Sequence, residues 1–209
     1  MSTLPEANVD PNIIGAREAT VAYQREVDAV RADSTLSDLG KAERIDKLYS
    51  TWTELIGHHQ EQFYAPRRDR ALKLEALVPV GPGVPNDASP ADAAVLHQAF
   101  NTAFDKAANA SKDELQQMYA TATRFGDETT LRAVLTAAQD KGLNGIVDQW
   151  AAGDPKRQAG LKELGELREL FSGRGTDARF AYQAFNGFGL VRRPPESMRL
   201  DTLRAAAAN

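Results

Sequence analysis

The chain has no cysteine, so disulfides and thiolate metal sites are excluded, and the composition suits a reducing compartment. It has only three histidines, His58, His59 and His97, which leaves few imidazoles for ligation or proton transfer. No stretch approaches the roughly 20 consecutive apolar residues that a helix needs to span a bilayer, so no membrane partner is expected. The opening Met1-Ser-Thr-Leu-Pro-Glu lacks both a basic and an apolar region, so a secretory signal is not expected either. An excess of positive charge is also missing. The net charge of -4 argues against nucleic acid as the main ligand, because neutralising phosphates calls for a basic chain. Runs of alternating apolar and polar residues are almost absent. Residues 78–80 and 190–191 are the only places where a short strand could lie.

What the 209 residues do contain is helical periodicity. Residues 36–78 organise the rest. Leu39, Ile45, Leu48, Tyr49, Trp52, Leu55, Ile56 and Phe63 recur in steps that place them on one helical face, while Lys41, Glu43, Arg44, Asp46, Lys47, Glu54 and Glu61 occupy the other. Thr35 with Asp38 has the spacing of a capping box. Pro66 predicts a kink or a break at Ala65–Pro66, after which Leu72, Leu74 and Leu77 supply the apolar positions.

Before this helix, residues 1–9 read as a polar arm. Asp10-Pro11 is a helix start, with Asp as cap and Pro at the first helical position. Ile13, Ala16, Thr20, Tyr23, Val27 and Val30 then form a stripe, and Asp33-Ser34-Thr35 turns the chain, which favours an antiparallel hairpin. The Pro- and Gly-rich residues 79–90 read as a linker. Beyond it come short capped helices. Ser89-Pro90 opens the first, with Leu96, Phe100, Ala103, Phe104 and Ala107 inward. Ser111 with Glu114 caps the next, with Leu115, Met118, Tyr119, Ala122 and Phe125 inward. Gly126, Gly142 and Gly153 act as stops, and Asp154-Pro155 opens a helix through Phe171. The expected fold class is all-α: an N-terminal hairpin (1–78), a linker (79–90), a compact helical bundle (91–185) and a C-terminal arm (186–209).

Few residues point to chemistry. Glu54, His58 and Glu61 share a helix face and form the one metal-like cluster, but they lack the spacing that places two imidazoles around an ion. His97, between Leu96 and Phe100, reads as a half-buried core histidine. Gly81-Pro82-Gly83 and Gly173-Arg174-Gly175 lack the Lys and Ser/Thr ending of a phosphate loop. No cofactor and no catalytic residue is expected. The candidates for partner contact are the basic cluster Arg67, Arg68 and Arg70, and the C-terminal set Phe185, Phe188, Leu190, Arg192 and Arg193. The first suits an acidic protein surface. The second suits an arm that packs on its own domain or on a neighbouring subunit.

The segment from Tyr23 to Ile45, with its Asp33-Ser34-Thr35 turn and Gly40-Lys41, resembles the helical hairpins of small head or virion assembly proteins of tailed actinobacteriophages. That resemblance covers about the first third of the chain. It implies a non-enzymatic structural or assembly protein present in several copies, whose partners are other subunits (capsid or virion proteins, or itself), located in the virion or the host cytoplasm. Two alternatives stand beside it: a helical adaptor or regulator with a groove between residues 93–108 and 115–141, and a metal-dependent enzyme at Glu54, His58 and Glu61.

Overall fold

The computed structural model describes residues 4–186 and 193–208. Among these the fold is all-α, with no strand. A 3-10 turn, Ala7–Val9, precedes α1 (Pro11–Ala32), α2 (Asp38–Glu75), α3 (Pro90–Asn109), α4 (Lys112–Phe125), α5 (Glu128–Asp140), α6 (Asn144–Ala152), α7 (Pro155–Phe171), α8 (Gly175–Phe185), α9 (Pro195–Met198) and α10 (Leu200–Ala207).

Local signals set most of the boundaries. The Asp10 carboxylate accepts from the Asn12 N–H at 2.8 Å and Pro11 occupies the first position of α1. Ser89 caps α3. Ser111 and Glu114 close a reciprocal capping box on α4, whose other end is stopped by Gly126 at φ +66°. That left-handed backbone is cheap only for glycine. The start of α2 differs from expectation. Ser37 Oγ accepts from the Gly40 N–H at 3.1 Å, while Thr35 is held by Asp33, which accepts from its N–H and its hydroxyl. The cap is therefore Ser37, because Asp33 already engages Thr35 in a turn of its own.

Pro66 does not split α2, which is helical from Asp38 to Glu75. Proline removes one N–H and crowds the turn before it, at a cost of about 3 kcal/mol. On either side, however, Phe63 and Arg67 are buried and bonded. Packing holds the helix across the proline.

The chain forms two compact units, Met1–Arg70 with Glu166–Asn209, and Ala71–Gly165. This division differs from the expected one, since the end of α7 and all of α8 belong with the N-terminal helices. The reason is the core of the first unit. Ile13, Ala16, Tyr23, Val27, Ile45 and Phe63 cluster there with Leu170, Ala178, Ala181, Ala184 and Phe185. The alanines of α8 form a small-residue face that lets it lie against α1, and the 3-10 turn fits beside both, with Ala7 fully buried. Ala7 and a bond from Arg67 to the Pro5 carbonyl thus fasten residues 4–9, which are not a loose arm. Contacts between α1 and α2 step from Lys41 with the Arg31 carbonyl, through Trp52 with Glu26, to His59 with Asn12. Rising numbers on one helix meet falling numbers on the other, so the two run antiparallel.

In the second unit α5 is the central helix. Ala133, Val134, Leu135, Ala137 and Ala138 are all buried there, flanked by α3, α4 and α6. Val78, Ala107, Leu115, Ile146 and Trp150 complete this core. The Pro/Gly stretch expected to link two domains lies inside this unit. The Gly81 N–H donates to Thr136 Oγ1 at 3.0 Å, and Val78 is 2% exposed. The stretch is irregular because of its prolines, yet fastened along α5.

Candidate protein-contact site

The basic cluster on α2 does not form one exposed patch. Arg67 is 4% exposed and makes an ion pair with Asp10, Nη2 to Oδ2 at 3.0 Å. It also donates to the carbonyls of Phe63 (2.9 Å) and Pro5 (2.7 Å), and its guanidinium stacks 3.7 Å from the Phe63 ring centroid. Asp10 serves twice, since Oδ1 caps α1 and Oδ2 receives Arg67. Arg67 is therefore a buried clamp between the N-terminal segment and α2, unable to meet a partner. Arg68 is exposed and paired with Glu61, and Arg70 is half-buried.

The C-terminal candidates also separate. Phe185 is 5% exposed and packs with tilted rings against Phe63 and Tyr64, so it is core. Phe188, Leu190 and Arg192 lie outside the described residues. Arg193 donates through Nε and Nη2 to Asp46 Oδ1, at 3.2 and 2.8 Å. Two further pairs attach the segment after it to the same unit. Arg31 grips Glu196 through Nε and Nη2, and Arg204 reaches Glu43. The Arg31 bond is the main reason the Glu196 carboxyl is held below its ordinary range. Leu200, in the same segment, is buried. Residues 193–208 dock on their own unit.

The histidines hold no metal arrangement. Among the described residues there is no group of three or more His, Cys, Asp or Glu placed to hold an ion. Glu61 is engaged by Arg68. His59 lies against α1, where a Cβ at Gly15 would stand 2.7 Å from its ring. His97, expected to be half-buried, is exposed on α3.

Another surface becomes visible only in the fold. A groove of about 670 Å³ runs between the end of α3, one face of α4 and the start of α5. Met118 and Ala122 form its floor, and Phe125 stands at one end with 72% of its surface exposed. Periodicity placed Phe125 in the core, but it is the last residue of α4, where Gly126 turns the chain away before a neighbour can cover it. Lys141 fixes the groove's shape by donating to the Ala110 carbonyl at 2.6 Å. Glu114 and Asp127 line the rim with Lys106. Both carboxyls titrate below their ordinary values, Glu114 because the Ser111 backbone N–H bonds it and Asp127 because the Thr130 hydroxyl does. The rim therefore stays charged around an apolar floor.

No helix among the described residues is long and apolar enough to cross a membrane. The chain matches no family model, no curated protein and no solved structure.

Proposed function

We propose that this chain is a non-catalytic structural or assembly protein that works by offering helix faces to other protein subunits. The observation that supports this most is the α3–α4–α5 groove, with an exposed Phe125 at its end and ionised carboxylates on its rim. Large aromatics left in water at the end of an apolar trough are the usual anchors of protein interfaces. The setting, the head of a tailed-phage particle with other virion subunits as partners, rests on the resemblance of the segment from Tyr23 to Ile45.

The same groove favours a second reading, a helical adaptor that binds one partner, because it lies between the segments where such a groove is expected. Sedimentation of a native-source lysate separates the two. In the assembly reading the chain travels with a particle, and Phe125→Glu releases it. In the adaptor reading it travels in a small complex of defined stoichiometry, also lost in Phe125→Glu. A chain that sediments alone, or with partners indifferent to Phe125→Glu, overturns both.

A further inference from the structure

A second concavity in the same unit, about 700 Å³, has a different character. Pro79 and Leu131 give it an apolar base, Tyr119 and Trp150 aromatic walls, and Arg132 and Arg157 two cations. Glu128 is the one carboxylate in the lining. We propose that this pocket binds a small organic anion: an aromatic ring system bearing a carboxylate or sulfonate, with the ring against Tyr119 and Leu131 and the anionic group on the two arginines. The proposal goes beyond the protein-contact role and does not depend on it.

Three observations carry it. The size lies within the few hundred to about 1,000 Å³ typical of small-ligand pockets, with the usual mix of apolar walls and a few polar groups. The cations also have capacity to spare. Arg132 bonds Glu128 through Nε alone, at 3.2 Å, to a carboxylate that is 75% exposed. The ion pair of Arg157 with Asp154 is a long one, at 3.6 Å. Such exposed pairs within one helical stretch contribute little and are easily exchanged for a better anion. The terminal nitrogens of a guanidinium form a fork that matches a carboxylate. Finally, both cations are already positioned. The Arg157 guanidinium lies 4.4 Å from the Trp150 ring centroid. Arg132 rests against the backbone at Gly83, where φ is +62° and an added Cβ would stand 2.5 Å from Cζ. Thr136 secures that seat, accepting from the Gly81 N–H while donating to the Arg132 carbonyl at 2.7 Å. The Pro/Gly stretch thus acts as the backing plate of the site.

The test uses the full chain with Trp52→Phe, which leaves Trp150 as the only tryptophan. The probe is 8-anilinonaphthalene-1-sulfonate, read by energy transfer from Trp150, then displaced by 2-naphthoate or by its neutral counterpart 2-naphthalenemethanol. The expected result is saturable transfer, with 2-naphthoate displacing the dye about tenfold better than the alcohol, as expected for charge-assisted bonds. Arg132→Gln and Arg157→Gln each weaken 2-naphthoate by a similar factor at unchanged circular dichroism. Phe125→Glu, in the other groove, leaves binding intact. The inference is overturned by transfer that does not saturate, by equal displacement with acid and alcohol, by indifference to both arginine substitutions, or by loss of binding in Phe125→Glu. None of these outcomes bears on whether the chain assembles with other proteins.

Discussion

The Asp10–Arg67 pair is the feature whose removal has the most readable consequence. Its side chains are 3% and 4% exposed and 3.0 Å apart. Asp10→Asn keeps a side-chain oxygen for the Asn12 N–H, so the cap contribution of about 1 kcal/mol is preserved. What is lost is the charge that balances Arg67, and an unbalanced buried charge costs about 3–5 kcal/mol. The lower end applies here, because the Phe63 and Pro5 carbonyls and the Phe63 ring still solvate the guanidinium. Arg67→Met leaves the opposite charge buried, with the Asn12 N–H as its remaining bond, and falls in the same range of about 3–5 kcal/mol. The double variant Asp10→Asn with Arg67→Met removes both charges and keeps an apolar stem on Phe63. It is therefore expected to be more stable than either single variant, as found when buried pairs are replaced whole. Urea unfolding followed by Trp52 fluorescence, in a Trp150→Phe background, reads the first unit, since Trp52 is half-buried against its core. The reasoning fails if the single losses add within about 0.5 kcal/mol in the double variant, the mark of independent sites.

Two other expectations follow from single positions. Gly57 is exposed on α2 with nothing within 4 Å of an added Cβ, so Gly57→Ala should raise stability by about 1 kcal/mol through helix propensity. At Gly15 the same change forces the His59 ring away from Asn12, so thermal unfolding should show a gain at 57 and none at 15. At the C-terminus, Glu196 has a lowered pKa in the folded chain, so its contribution is complete above the ordinary glutamate range and fades as the pH falls through the lower folded value. Protection of the α10 amides, taken relative to their intrinsic exchange rate at each pH, should fall in that acidic window and in high salt, and Glu196→Gln should flatten the pH dependence of that protection.

Much of the architecture was legible because the signals are local. Every residue of the stripe read in α1 is buried, from Ile13 through Ala16, Thr20, Tyr23 and Val27 to Val30, since a helix exposes one face to its core whatever that core contains. The caps at Asp10, Ser89 and Ser111 and the stop at Gly126 form as read, because each concerns backbone groups within a few residues. The partner-contact candidates were not legible in the same way. Arg67 sits in a run of basic residues that resembles a solvated face, and nothing nearby in sequence announces the carboxylate it meets.

The residues by themselves determined that the chain is helical, where most helices begin and end, and which face of each is apolar. These follow from hydrogen bonds and periodicities that span a turn or two. Tertiary structure alone decided which faces meet. It joined Phe185 and the α8 alanines to α1, brought Asp10 to Arg67 across 57 residues, and left Phe125 in water. It also laid Gly83 of a loop against Arg132. Burial of a charge or exposure of an aromatic depends on what a distant segment places beside it, and helical spacing carries no record of that.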